Sequence, residues 1–456
     1  MFWPVFAALF IAYLFHQFYW KRRLLPPGPL PFPLVGNAIS LFTGGDNPWI
    51  TSLQKWKNEY GSIYTYWLGG IPIVTVNDMH TIQEMFVVDG DNYSDRGSFG
   101  SLSDDFRGFN QRILHEAQAL MDTFEAEAKN GPVSPLKYLD QTVASVINVV
   151  IFGFRFDERN NFEFRKIRDL MDKQSREFSN PLVLALIDKP DRIPFLKKKF
   201  DLLIQSRDAL FEFFQRNIDE HKKWIDYEST QNSDFCEAYL KEMKKCESDS
   251  ETTFHEKQLR AMCLDLWLAG METTASNMAW GVLSKLHEEF DRVIGEERLI
   301  TTADKTKLPY TNAFICEVQR WANIVPQNLM RKTSREVTVK DHVIPAGTTI
   351  SPQISLLLFD PEVFSSPSKF DPDRFLDSKG NLSIPKQFLP FSIGRRQCLG
   401  EGLARMELFL FFSNIAHRFE ITPVENEMPS MKRTFTSASK PLPFVCNLKK
   451  RTVNAQ

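Results

Sequence analysis

The sequence predicts one mostly helical domain with a small β region, preceded by a membrane-spanning segment. Most of the body carries apolar residues at a helical period. Strand-like patterning is confined to a few short runs, and no internal repeat or linker divides the 456 residues. Length alone allows about three domains, so it is the unbroken helical patterning that argues for one.

The first twenty residues contain no Asp, Glu, Lys or Arg, and Lys21-Arg22-Arg23 follows at once. Twenty predominantly apolar residues can cross a bilayer core. The aromatic residues Trp3, Tyr19 and Trp20 sit at the ends, and the basic cluster places the following body on the cytoplasmic side. A cleaved signal peptide would carry basic residues before the apolar run and a small-residue cleavage site after it, and neither is present. Pro26-Pro27-Gly28-Pro29 and Pro31-Phe32-Pro33 then exclude helix up to Gly36-Asn37, because each Pro lacks a donor and restricts its predecessor. This stretch reads as a stiff spacer.

Within the body, residues 62–68 and 71–77 are β-rich runs split by Gly69-Gly70, a hairpin signal. Residues 337–339 and 348–351, separated by a turn containing Pro345 and Gly347, are expected to form a second hairpin. Pro181, Pro190 and Pro194 break a helical region, and the polar stretch 231–253 reads as a surface loop. Composition adds constraints. The net charge of −2 does not suggest a nucleic-acid partner. The six cysteines show no CxxC pair and no metal-finger spacing, so they read as reduced thiols in a cytosol-facing protein. Thirty-nine Phe suit a greasy interior with an apolar ligand cavity.

The most specific segment is Phe391-Ser392-Ile393-Gly394-Arg395-Arg396-Gln397-Cys398-Leu399-Gly400. A lone Cys is ordinarily a small buried hydrophobe. Here five positions around it (Phe391, Gly394, Arg396, Cys398, Gly400) supply what a proximal haem ligand needs. A thiolate pushes electron density onto iron and favours O–O cleavage. The glycines permit a tight turn that aims amide hydrogens at the sulfur. The helix expected to follow offers its positive dipole end, which helps keep the sulfur ionised. With Gly400-Glu401-Gly402-Leu403-Ala404-Arg405-Met406-Glu407-Leu408, the chain resembles the cytochrome P-450 family of haem-thiolate monooxygenases, in its animal microsomal branch, over nearly its whole length.

The resemblance implies a P-450 fold: an anchor at residues 1–20, a basic and proline-rich hinge at 21–37, and a haem domain at 38–456. Within Ala269-Gly270-Met271-Glu272-Thr273-Thr274, a Gly followed by acid and hydroxyl residues in mid-helix is locally costly. The plain reading is a solvent-facing kink. The resemblance makes it the helix that crosses the haem, with a backbone gap for oxygen beside Ala269 and Gly270, Thr273 holding oxygen and a water, and Glu272 in the proton relay. Glu317 and Arg320 lie three apart on one helix face, a weak signal alone, since Glu289 and Arg292 share that spacing. The resemblance joins them to Arg374 in a buried structural triad. Arg396 and Arg331 match positions that bind the haem propionates, for which bidentate arginine is the natural partner. Residues 98–106, 178–186, 261–273, 325–329 and 434–439 correspond to substrate-facing segments.

Two departures stand out. The family carries a Trp-x-x-x-Arg helix after its first substrate loop, yet no Trp occurs between Trp67 and Trp224. Roughly thirty residues, a helix of several turns, are absent between Phe109 and Gln111. A shorter gap of about ten residues, or about 15 Å of helix, follows Trp280-Gly281-Val282-Leu283. The implied function is a monooxygenase of the endoplasmic reticulum membrane, acting on a lipophilic small molecule with haem b, O2 and electrons from NADPH. Its partners would be an NADPH-cytochrome reductase, cytochrome b5 and membrane lipid. Two alternatives stay open: a haemless or impaired relative (or an incomplete gene assembly), and a reductase-independent peroxide isomerase or dehydratase.

Overall fold

The computed structural model describes residues 5, 11–12, 15–43, 47–93, 109–157, 159–178, 194–229, 231–249, 252–280, 286–295, 298–326, 328–425, 429–430, 432–435 and 438–451. In chain order, α1 (Ala38–Phe42) and α2 (Pro48–Tyr60) precede β1 (Ile63–Leu68), β2 (Ile71–Val76) and α3 (Met79–Gln83). A helical stretch follows: α4 (Phe109–Ala128), α5 (Leu136–Phe152), α6 (Asn161–Phe178), α7 (Pro194–Trp224), α8 (Phe235–Lys245), α9 (Glu256–Ala279), α10 (Leu286–Val293) and α11 (Pro309–Ala322). Short strands β3 (Arg331–Lys332), β4 (Val337–Val339), β5 (His342–Ile344) and β6 (Thr349–Pro352) lead to α12 (Ile354–Leu358) and α13 (Glu401–Arg418). The chain closes on β7 (Phe419–Pro423), β8 (Arg433–Phe435), β9 (Ser439–Pro441) and β10 (Cys446–Lys450).

Helix ends follow local chemistry. Asn47 and Pro48 start α2, and Gly61 at φ +89° ends it. Gly153, in the left-handed region, ends α5. Asp234 accepts the Glu237 amide at 2.9 Å and so caps α8. That helix corrects the expected loop at 231–253: Cys236, Tyr239 and Leu240 fall on one face and are buried, which outweighs the polar composition.

The β1–β2 hairpin forms around Gly69-Gly70, with Leu68 opposite Ile71. The second expected hairpin does not. Val337–Val339 pairs with His342–Ile344 around Lys340, whose φ is +51°. Thr349–Pro352 instead lies parallel to β2 and antiparallel to β3, giving a four-stranded sheet in the order β1-β2-β6-β3. A two-residue turn closes β4 locally, which frees the buried β6 run for the sheet interior. The proline-rich segment docks on the same sheet. Thr65 donates its amide to Pro27 O at 3.0 Å, and a Cβ at Gly28 would lie 1.9 Å from Thr65 O. Among the described residues no helix is long and apolar enough to cross a membrane. Much of the expected anchor at 1–20 lies outside those residues.

The main core gathers side chains from α4 to α11 and from α13, with α9 through its middle. Trp267 of α9 is fully buried and meets Phe156 and Phe214 edge-on, at 6.5 Å between ring centres. Burying a side chain such as Phe214 contributes about 1.5–3 kcal/mol. α5 lies close along α9, where a Cβ at Gly270 would come within 2.4 Å of Ile147 Cδ1. The absence of a side chain at 270 sets how near the two helices approach.

Candidate functional site

Cys398 lies three residues before α13, in a loop held from several sides. Its amide donates to Phe391 O at 2.8 Å, and the Gln397 amide donates to Gly394 O at 2.9 Å. Ser392 takes a left-handed backbone at φ +66°, which is costly for a residue with a Cβ. Gly394, at φ +76°, could carry no side chain, since a Cβ would lie 1.8 Å from Phe86 O. The loop is tied further by Arg395 to Asp91 at 2.8 Å. The Arg405 guanidinium covers the Phe391 ring at 4.9 Å.

Arg331 of β3 is buried and reaches this loop. Its Nη2 donates to Ile393 O at 3.1 Å and Ser392 Oγ at 3.3 Å, and its guanidinium lies 4.4 Å from the Phe86 ring. Arg396 is half-buried in the 3₁₀ turn Gly394–Arg396. Arg331, Arg395, Arg396 and Arg405 thus belong to, or touch, the loop that carries the sulfur.

The Cys398 side chain is open to solvent yet recessed enough that lost hydration pushes its thiol above the ordinary value. The Gly400 amide opposes this, while the Glu401 charge adds to it. The Gly400 amide acts in the direction expected of the helix start. Recess and the acid at the first helical position outweigh the amide, and a bound cation would reverse the balance. A Cβ at Gly400 would meet no protein atom within 4 Å. A single soft sulfur donor open to solvent, on a loop with several arginines, fits a haem with anionic propionates.

α9 is buried on most sides, but Ala269 is exposed and Thr273 half-buried. The backbone gap expected at 269–274 is absent: α9 runs unbroken through Ala279. The Thr273 hydroxyl donates to Ala269 O at 2.5 Å, a back-bond that such a hydroxyl can make without opening the helix. Glu272 points elsewhere. Its Oε1 lies 2.8 Å from Lys440 Nζ of β9, and both side chains are largely buried.

The structure brings Glu317, Arg320 and Arg374 together. Arg320 Nε and Nη2 donate to the two Glu317 oxygens at 2.7 and 2.8 Å, with both residues fully buried. Arg374 Nε reaches Glu317 Oε1 at 3.3 Å. Remaining guanidinium hydrogens go to the carbonyls of Leu358, Ser365, Pro367 and Lys369. Glu289, set aside above as coincidental spacing, is also buried. It accepts the Tyr310 and Thr311 amides at 2.8 Å each, at the start of α11.

Sequence reasoning missed two ionisable groups. Lys440 lies far along the chain in a three-residue strand, and no local pattern signals it. Glu407 carried a signal, a charge entering the apolar run from Leu408 to Phe412. Its carboxyl is buried and, among the described residues, neither oxygen has a hydrogen-bond partner. Burial pushes it up to about 8; the Thr274 hydroxyl opposes the shift without reaching bonding geometry. Unfolded, a glutamate titrates near about 4.3. Between those values the native chain holds a proton that the unfolded chain has lost, so this group makes stability fall as pH rises. Glu407→Gln is expected to flatten that fall and to raise the urea midpoint at pH 8, measured against the parent at pH 5 and 8.

Of the segments expected to face substrate, residues 98–106 and 179–186 lie outside the described residues, as do residues 281–285 at the second gap. Ile324, just before the segment 325–329, accepts the Ser439 amide of β9 at 2.7 Å.

Comparison with known proteins agrees with this geometry. The family model for Cytochrome P450 matches residues 26–110 and 98–447, two stretches that overlap where the first gap was read. Cytochrome P450 2A9 of Mesocricetus auratus is 32% identical over 470 residues, covering 94% of this chain and 93% of that protein. Cytochrome P450 2D3 of Rattus norvegicus is 33% identical over 501 residues, covering 98% of both. Setting 94% of 456 residues against 470 aligned positions leaves about forty positions without a residue of this chain. The chain belongs to the cytochrome P450 family, oxidoreductases of the monooxygenase type that use thiolate-bound haem iron, O2, a small-molecule substrate and a redox partner.

Proposed function

We propose that this chain inserts one oxygen atom of O2 into a lipophilic small molecule, with electrons from NADPH delivered by a membrane reductase, at the endoplasmic reticulum. The open thiol of Cys398, in a loop braced by Gly394 and Arg331, carries the reading. When bound, the haem supplies the oxygen-activating chemistry. Cys398 would hold its iron, and Arg331 and Arg396 its propionates. Thr273, half-exposed on α9, would orient a water and pass a proton, with Glu272 as the acid behind it. The charge-free run before Lys21 and the docked proline segment support a membrane anchor and hinge.

A second reading, loss of haem binding, is favoured by the split family match and the roughly forty missing positions. A carbon monoxide difference spectrum of the reduced chain in membranes separates the two. A strongly red-shifted Soret band is expected, followed by turnover that depends on the reductase. No band would leave the haemless reading. Turnover with peroxide but without reductase would favour the isomerase class.

A further inference from the structure

Three helix ends meet at His221. It lies in the last turn of α7, with 19% of its side chain exposed. Its Nδ1 is 2.9 Å from Asn217 O, one turn back, and its Nε2 is 3.0 Å from Asp234 Oδ2 at the start of α8. The end of α5 closes the third side. The Phe152 ring lies 5.7 Å from the imidazole, and a Cβ at Gly153 would come within 2.9 Å of Asp234 Oδ2. An exposed pair would count for little, but the Asp234 side chain is only 3% exposed.

The two contacts fix the protons on the ring. A backbone carbonyl and an ionised carboxylate can only accept, and a neutral imidazole has one N–H to give. Both bonds therefore form together only when both nitrogens carry hydrogen and His221 is charged. Asp234 has the complementary character. Its Oδ1 accepts the Glu237 amide at 2.9 Å, and its Oδ2 also accepts the Ser233 hydroxyl at 3.3 Å. An anion at the start of α8 and a cation at the end of α7 both suit the helix dipoles.

The neighbouring groups do not compete. From α8, Glu237 favours the charged ring as Asp234 does, and is itself paired with Lys241 at 2.8 Å. On α7, Lys222 turns to Glu256 of α9 at 2.6 Å and to Asp219 at 3.7 Å. The thiols of Cys236 on α8 and Cys263 on α9 are pushed up by lost hydration and stay neutral. Burial of His221 opposes its charging, but Asp234, Asn217 and Glu237 together outweigh it, so the imidazole keeps its proton above the ordinary range.

We infer that His221 is a proton-operated latch: charged, it ties the end of α7 to the start of α8 over the end of α5, and on losing a proton it gives up one acceptor and frees the α7–α8 junction. An unfolded histidine titrates near about 6.5. The latch is complete below that pH and is lost as pH rises through the raised native value. It fastens one end of the helix that sets Phe214 against Trp267 of α9. It involves no haem contact, so it stands apart from the proposed activity.

Native-state hydrogen exchange, read by mass on the full chain in detergent micelles at pH 6 and pH 9, tests this. Rates are corrected for the intrinsic effect of pH. Glu407 lowers global stability over part of that range, so the readout is exchange at residues 217–224 and 235–240 relative to exchange in α11. In the parent this ratio is expected to rise about tenfold from pH 6 to pH 9, the scale of one hydrogen bond to a charged group. His221→Gln, which gives hydrogens from a single nitrogen, should show the high ratio at both pH values. Asp234→Asn keeps a capping oxygen for the Glu237 amide but offers an N–H to the ring. A neutral His221 can accept it while still donating to Asn217 O, so D234N should be better protected at pH 9 than at pH 6. A side chain that only filled space would not reverse the sign.

A parent ratio that stays flat between the two pH values overturns the inference. So does an H221Q ratio equal to the parent's at pH 6, or a D234N ratio that rises with pH as the parent's does. If H221Q does not fold, the parent profile and the reversed profile of D234N still decide.

Discussion

Replacing Glu317 with alanine is expected to cost about 3–5 kcal/mol, the range for breaking a buried ion pair by removing one partner. Total stabilities of domains run to roughly 5–15 kcal/mol, so most of the folded population is at risk. The reason lies in the accounting of charges. Arg320 is fully buried and gives two of its hydrogens to Glu317. Arg374 gives a third contact to the same carboxylate, and so does the Asp371 amide at 2.8 Å. One deletion therefore strands two guanidinium groups and an amide, and the carbonyls around them cannot neutralise charge. A urea titration followed by far-UV circular dichroism checks this. A midpoint within error of the parent would show that water enters and the network is dispensable. Glu317→Gln keeps the shape while removing the charge and should fall between the two.

The second large effect is expected at the sulfur. Cys398→Ser replaces a soft donor with a hard, weakly acidic hydroxyl, and softness is what suits iron in this family. The red-shifted Soret band of the reduced carbon monoxide complex should vanish and reductase-supported turnover should fall below detection. The urea midpoint of the haem-free chain should change little, because the loop is held by other groups: the Phe391 carbonyl, Gly394 against Phe86, and Arg331. Retention of the band in the serine variant would move the ligand elsewhere. A large loss of stability without haem would show that the thiol itself packs the loop.

Legibility from sequence followed the range of each interaction. The Gly69-Gly70 hairpin and the helical body were readable because period and turn chemistry act over a few residues. Helix α8 was misread because its capping Asp234 and its buried face at Cys236, Tyr239 and Leu240 are diluted by polar neighbours. Strand β6 was assigned the wrong partner, since pairing with β2 joins residues almost three hundred positions apart and no local pattern reports it. The same holds in the candidate site. The Cys398 loop announced itself by composition, and the spacing of Glu317 and Arg320 made sense only beside Arg374. Lys440 was invisible, because only the folded chain places a lysine of β9 against an acid of α9. Glu407 was legible in principle: a charge in an apolar helix run must be buried and pay a solvation penalty, or bend the helix outward.

The bracing of the Cys398 loop has a consequence for biosynthesis. Arg395 meets Asp91 across 304 positions of chain, and Gly394 seats on the carbonyl of Phe86. At about 5–20 residues per second, the earlier half of that contact emerges from the ribosome roughly 15–60 s before the later half. During that wait Phe86 and Tyr93, both buried in the finished protein, lack the loop packed nearby. Pulse-chase proteolysis of nascent chains should therefore find the region around Phe86 cleavable until synthesis passes the Cys398 loop, and protected soon afterwards.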